Sequence, residues 1–226
     1  DNGRGSYLFA ARKSYVGYLV RRINEENQFT NSPPILNFAD FQAKANYDLT
    51  NQNQLGFSIV YGEMSFDRNR DRDLLGTNTV FRADSKSLLM NGHWSYTPNP
   101  RTFWQTRVFG VRTTFKNVNR DEAVLEDGNR TQYGLRSDIS FEVHSQHRVE
   151  VGAYLRSIGI DSLSQQFFFS GGLFDSRSFE HHGSEAAFYV QDTWTREDTG
   201  LSLTVGSRGE HSGITEQTLF SPRAAI

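Results

Sequence analysis

SEAAFYVQDTWTREDTGLSLTVGSRGEHSG, residues 184–213, decides how the rest of the chain is read. It divides into two extended arms of about a dozen residues, roughly twice an ordinary strand. The arms are joined by the polar stretch Arg196-Glu197-Asp198-Thr199-Gly200. In the second arm Leu201, Leu203 and Val205 fall on one face and Ser202, Thr204, Gly206, Arg208 and Glu210 on the other, because side chains alternate along a strand. The stretch predicts a long β-hairpin, greasy on one face and charged on the other. Strands of roughly 9 to 11 residues are what a chain needs to cross a bilayer at a tilt.

Outward from this hairpin the same unit recurs. In residues 38–49, Phe41, Ala43, Ala45, Tyr47 and Leu49 alternate with Asp40, Gln42, Lys44, Asn46 and Asp48. A face that carries only polar groups in succession does not make a dry core. After a tight turn at 50–53 come Leu55, Phe57, Ile59 and Tyr61, and residues 86–97 set Leu88, Met90, Trp94 and Tyr96 against Asn91, His93 and Ser95. Residues 103–115 read as a strand of ambiguous face, with Phe109 and Val111 in phase with Gln105 and Arg107. Residues 131–143 alternate Tyr133, Leu135, Ile139, Phe141 and Val143 with Gln132, Arg136, Asp138, Ser140 and Glu142. Val149, Val151, Ala153 and Leu155 answer from the next strand, opposite Glu150, Gly152, Tyr154 and Arg156. Strands at 6–15 and from 218 onward complete a set of ten.

The connections have a rhythm. Short turns fall near 50–53, 98–101, 144–148 and 196–200, and long loops are expected at 16–37, 67–84, 116–129 and 161–183. Short turns on one rim and long loops on the other are the asymmetry of an outer-membrane barrel. Trp94, Tyr96, Trp104 and Trp194 lie beside the short turns, where a membrane-interface belt would put them.

Composition bounds the same conclusion. Of 226 residues only 36% are hydrophobic, so no segment approaches the run of about 20 apolar residues that a transmembrane helix requires. The mean hydropathy is −0.60. Yet 18 Phe, 9 Tyr and 3 Trp make the chain 13% aromatic, which fits either a membrane β-barrel or a soluble all-β protein with an aromatic core. With no Cys there is neither a disulfide scaffold nor a thiolate metal site. A net charge of −2 and dispersed Lys and Arg give no footprint for nucleic acid. The chain begins Asp-Asn-Gly and ends Ser-Pro-Arg-Ala-Ala-Ile, and is expected to be part of a longer polypeptide.

Several of these segments resemble the barrel of TonB-dependent outer-membrane receptors: SYLFAARKSY at 6–15, SEAAFYVQDTWT at 184–195, LSLTVGSRGEH at 201–211 and LFSPRAAI at 219–226. Tyr189-Val190-Gln191-Asp192 with Trp194, and Ser221-Pro222-Arg223, carry most of the likeness. The sequence departs from the family at Gly209, which precedes Glu210 where an aromatic is usual. The resemblance implies an all-β, antiparallel, up-and-down transmembrane barrel of 22 strands, of which residues 1–226 would supply about ten, with the plug domain and C-terminal strands lying outside. It further implies uptake of a scarce nutrient, siderophore, cobalamin or oligosaccharide, with outer-membrane lipid around the wall. The TonB complex would be engaged through an N-terminal region not in this sequence. The alternatives are a passive porin-type barrel and a soluble, sugar-binding all-β domain.

Sites of chemistry are sparse, and the expectation is a non-catalytic protein without cofactor. Asp138 and Glu142 are a carboxylate pair with no accompanying nucleophile or oxyanion motif. His181-His182 with Glu180 and Glu185 read as solvated loop residues, because metal ligands on one strand sit two apart and adjacent histidines split across its faces, so no metal is expected. The DRNRDRD run at 67–73 lacks the central Gly and terminal Glu of a Ca²⁺ loop and reads as solvated. The remaining ligand candidates are the inward Arg136, Arg156, Arg208 and Glu210, and Phe168 and Phe174 in the longest loop.

Overall fold

The computed structural model describes residues 3–27, 35–68, 75–196 and 198–226. Ten strands follow one another in space as they do in sequence, each antiparallel to the next. They are β1 (Gly5–Lys13), β2 (Ile35–Thr50), β3 (Asn53–Asp67), β4 (Arg82–Asn99), β5 (Thr102–Val118), β6 (Val124–His144), β7 (His147–Phe167), β8 (Leu173–Arg196), β9 (Leu201–Ser212) and β10 (Gln217–Ala225). The result is one up-and-down sheet with β1 and β10 at its edges.

Register shows why the alternation in the sequence matters. One row runs Tyr7, Ala45, Phe57, Gly92, Val108, Leu135, Leu155, Ala186, His211 and Thr218, one residue from each strand in order. From β1 to β8 every member is apolar or small. The next row but one toward the short turns, Tyr47, Leu55, Trp94, Thr106, Ser137, Ala153, Phe188, Gly209 and Phe220, continues that face. Its large side chains are uncovered, Phe188 being 55% and Leu155 54% exposed. A continuous apolar surface of this breadth marks contact with lipid or a partner. No second sheet packs against it among the described residues, so the arrangement is that of a barrel wall and not of a sandwich.

At the short-turn rim Trp94 stacks on Tyr96, ring centroids 5.8 Å apart, and meets Trp104 edge-on at 5.2 Å. Their indole N–H groups, and that of Trp194, donate to Asn53 Oδ1, Ser137 Oγ and Gln146 Oε1 at 3.1, 2.8 and 3.4 Å. Rings on the apolar face whose N–H groups are tied to polar side chains near the short turns suit an interface between oil and water.

The opposite rim differs from expectation in two ways. Residues 116–129 and 161–183, read as loops, are mostly strand: β5 and β6 close through a five-residue turn at 119–123, and β7 and β8 through residues 168–172. β8 alone has 24 residues, against the roughly 9 to 11 that span a bilayer. The hairpins are therefore longer than a bilayer crossing requires, and their far ends lose the strict alternation of the rest. Residues 16–37, also read as a loop, contain the helix α1 (Val16–Asn27). Val16, Leu19, Val20 and Ile23 recur at helical spacing, the signal that identifies it. Gly17 lets α1 lie against β2, where a methyl would come within 2.9 Å of Ile35 Cγ2.

Residues 69–74, which hold most of the charged run, lie outside the described residues. Beyond them the β3–β4 connection folds onto the β5–β6 hairpin, where Phe81 N donates to Val118 O at 2.8 Å and Phe81, Val118 and Leu125 are buried, while Ile35 is buried beside α1. Asn119, 1% exposed, is the hub. Its Nδ2 donates to Thr77 O at 2.7 Å, and its Oδ1 accepts from Asp121 N and Ala123 N, each at 2.9 Å.

Candidate functional site

The polar face is the reverse of the apolar one, and every even residue of β6 and β7 and every odd residue of β8 within the alternating stretch belongs to it. On β6 to β9 this face is a lattice of closed charge pairs. Arg136 Nε donates to Asp138 Oδ2 at 2.7 Å, and the Tyr189 hydroxyl donates to Asp138 Oδ1 at 2.7 Å. Tyr189 reaches Asp138 across β7 because Gly152 stands between them in register. A methyl on Gly152 would lie 2.6 Å from that carboxylate oxygen and inside the Tyr189 ring. Arg148 pairs with Glu150 at 3.3 Å, and Glu150 also accepts from Gln191 Nε2 at 2.8 Å. Arg156 pairs with Glu185 and sits 5.9 Å from the Tyr154 ring centre. Arg208 pairs with Glu210 at 2.9 Å.

The sequence-derived candidates Arg136, Arg156, Arg208 and Glu210 thus share one face, and each is engaged within it. Such pairs satisfy one another and orient the wall. They leave little unspent charge for a solute.

On β2 to β5 the same face is arranged differently. The row Asn46, Gly56, His93, Arg107 and Arg136 crosses five strands. The His93 ring lies over Gly56, where a methyl would come within 2.6 Å of Nδ1, so the imidazole leans from β4 toward β2. Arg107 is hydrogen-bonded to Gln105 Oε1, and stands opposite Arg136 in register. Lys44 lies one step along β2 on the same face. The acidic residues of this region are occupied elsewhere: Asp40 with Arg12 at 2.6 Å, Asp48 with Gln54 Nε2 at 2.8 Å. Sequence reading passed over Lys44, His93 and Arg107. The signal was present in the spacing, because Arg136, Arg148 and Arg208 each have a carboxylate two residues on, whereas Lys44 lies between Gln42 and Asn46, and Arg107 between Gln105 and Phe109.

Phe168 and Phe174 meet at the tip of the β7–β8 hairpin, edge to face at 4.9 Å, with Phe169 beside them 85% exposed. Asn78 of the β3–β4 connection ties this tip down: its Nδ2 donates to Phe167 O at 2.9 Å and its Oδ1 accepts from Phe167 N at 2.7 Å. Glu180 and His182 fall on one face of β8, with Asp161 opposite on β7, while His181 and Glu185 turn to the other. His182 Nε2 is 3.4 Å from Glu180 Oε1 and 3.8 Å from Asp161 Oδ1. The structure thus brings Asp161, Glu180 and His182 together with their ligand atoms within 4.8 Å of one another, on side chains at least half exposed.

No protein-family model and no characterised protein matches the chain by sequence. Solved structures do match in fold. The ferric citrate transporter FecA superposes with a TM-score of 0.57 at 15% identity, over 86% of this chain and 33% of that one. The outer-membrane transporter YddB from Escherichia coli gives 0.59 at 10% identity, over 84% and 29%. BauA, the ferric preacinetobactin receptor from Acinetobacter baumannii, gives 0.55 at 11%, over 85% and 36%. The chain spans about a third of the length of these proteins, and the shared feature is the fold of an antiparallel barrel wall.

Proposed function

We propose that the chain is part of the wall of a bacterial outer-membrane transporter of the TonB-dependent receptor kind, which takes up a scarce nutrient without catalysing a reaction. The observation that carries this reading is the row from Tyr7 to Thr218, which keeps one face apolar from β1 to β8 while the alternate residues stay polar. A closed barrel is the architecture in which a strand can present such faces to lipid and to water with its backbone groups satisfied. The fold likeness to outer-membrane transporters supports the same reading. The substrate is a siderophore, a cobalamin or an oligosaccharide, and the wall supplies its passage. The Asp138 carboxylate accepts from Arg136 and Tyr189, which supports a structural role for it in this reading.

Cysteine scanning along β2 in the full-length protein in membranes tests this. Phe41, Ala43, Ala45 and Tyr47 as cysteines are expected to report the lipid phase, and Gln42, Lys44 and Asn46 to react with a water-soluble maleimide. Protection of both sets would sink the barrel reading. Uptake that persists after the host's TonB is deleted would favour a passive channel.

A further inference from the structure

We infer that Asp161, Glu180 and His182 form a site for a divalent cation of the zinc kind, which staples β7 to β8. The inference is independent of the transport reading. All three residues stand on the face opposite the lattice of charge pairs, in phase with Leu155 and Ala186.

The reasoning begins with a position in the ladder. Asp161 and Glu180 are directly opposite each other in register, and like charges placed so repel. On its other side Asp161 faces Asn129, whose Oδ1 accepts from Arg112 Nε at 3.2 Å. The carboxylate pair is unfavourable until a cation lies between its members. His182, two residues from Glu180 along β8, projects from the same face and brings Nε2 to 3.4 Å from Glu180 Oε1 and 3.8 Å from Asp161 Oδ1. The three donor atoms all lie within 4.8 Å of one another. A tetrahedral ion with bonds of about 2.1 Å keeps neighbouring donors about 3.4 Å apart. The separations from Nε2 are close to that value, and the end torsions of carboxylates are broad enough to bring the oxygens in without moving the backbone.

A second observation fixes the imidazole. His182 stands opposite Gly159 in register, and its ring lies over that glycine. A methyl on Gly159 would come within 2.9 Å of His182 Nδ1, and within 2.9 Å of Thr131 Oγ1 reaching over from β6. The Nδ1 edge is thus seated on the one residue that leaves room for it, and Nε2 is the nitrogen turned to the carboxylates. The pairing of β7 with β8 runs without a shift from His147 and Trp194 to Gln166 and Asp175, so all three donors project from regular ladder. One imidazole nitrogen with two carboxylate oxygens suits a zinc-type ion, whereas Mg²⁺ and Ca²⁺ take oxygen throughout. Water would complete the four-coordinate shell. Spacing along β8 alone could not reveal the set, because its third ligand comes from β7.

The experiment is calorimetric titration of zinc chloride into the full-length, detergent-solubilised protein after treatment with chelator. His182→Ala and Asp161→Asn, one on each strand, should each weaken zinc binding at least about tenfold, the loss that even an outer-shell partner of a metal causes. His181→Ala, one residue along but on the other face of β8, should leave the affinity unchanged. Diethylpyrocarbonate labelling, read residue by residue by mass spectrometry, tests the unsubstituted protein. Labelling of His182 should slow about tenfold when free zinc stands at about ten times its Kd, by mass action, while His144 at the short-turn rim keeps its rate. Equal zinc affinity in His182→Ala and the parent protein overturns the inference. So does a loss in His182→Ala that Asp161→Asn does not share, since no ion then bridges the strands. Displacement of zinc by an equal concentration of Mg²⁺ overturns the ligand class, and a His182 that never labels shows that another segment covers the site and overturns it as well.

Discussion

The two ends of this sheet treat their apolar side chains differently. Toward the short turns, the wall has almost nothing buried within itself: Phe188, Leu155 and Val205 are more than half exposed, and a stack of Trp94, Tyr96 and Trp104 marks the boundary. Toward the long connections, Ile35, Phe81, Val118 and Leu125 are buried, and Asn119 is sealed under the β3–β4 connection. The first end leaves its apolar surface uncovered, as the proposed barrel wall requires of a face turned to lipid. The second covers its own with a small core and a hydrogen-bonded hub.

The sharpest way to break that contrast is to place the same charge on adjacent residues of β8. Val190 belongs to the apolar face, in register with Val151 and Ser207. Val190→Arg should cost about 2 to 4 kcal/mol of barrel stability if the site lies near the bilayer midplane. Gln191, one residue on, faces the other way and already donates to Glu150. Gln191→Arg should retain that partner and change stability by no more than about 1 kcal/mol. Urea unfolding in lipid vesicles reads both, and equal costs would abolish the distinction between faces.

At the other end the corresponding test is Asn119→Ala. It strands Thr77 O, Asp121 N and Ala123 N in a buried turn, at a cost of about 1 to 3 kcal/mol. Faster amide exchange should be confined to residues 118–125 and 77–81, with residues 133–143 and 149–155 unaffected. Exchange that rises along the whole of β6 would show that the two ends unfold as one.

How much of this was legible beforehand follows from the same contrast. Within the bilayer-length stretches each face has an obligatory environment, so Phe41 to Leu49 alternates strictly and the hairpin at 184–213 could be read directly. Beyond them, Leu173, Phe174, Phe179 and His181 obey no rule a sequence reader can use, because the strict alternation is lost there, and the long β7–β8 hairpin passed for a loop. The ambiguous strand β5 has another cause. Phe109 lies on the polar face because Gly134 opposite leaves room for its ring, which stacks on Tyr154 with centroids 6.4 Å apart. That compensation is visible only in register. Pairs at i, i+2 such as Arg208 and Glu210 could be foreseen, whereas Arg156 with Glu185 spans two strands and could not.

Between these extremes lies the contact that ties the β3–β4 connection to the β7–β8 tip. Asn78→Ala removes two hydrogen bonds to the Phe167 backbone, at a net cost of about 1 to 2 kcal/mol. The expected signature is faster exchange at Phe167 and greater protease sensitivity at 168–172, with Phe168 and Phe174 freed to move. An unchanged tip would mean that the two phenylalanines hold it by their own contact.

The smallest effect belongs to the lumen lattice. Arg208 and Glu210 form a pair in which both side chains keep about a third or more of their exposure. Water screens such a pair, and holding two flexible side chains in one geometry costs entropy. Arg208→Gln should therefore change stability by about 0.5 kcal/mol or less. Its value for the comparison is the contrast with Val190→Arg. Both substitutions change the charge of one side chain on neighbouring strands, and only the one facing lipid should be expensive, because charge in a water-filled lumen keeps its hydration and charge in the hydrocarbon does not. If unfolding of the two variants differed by less than about 1 kcal/mol, outside the range the bilayer imposes at its midplane, the apolar face could not be the one that meets the membrane.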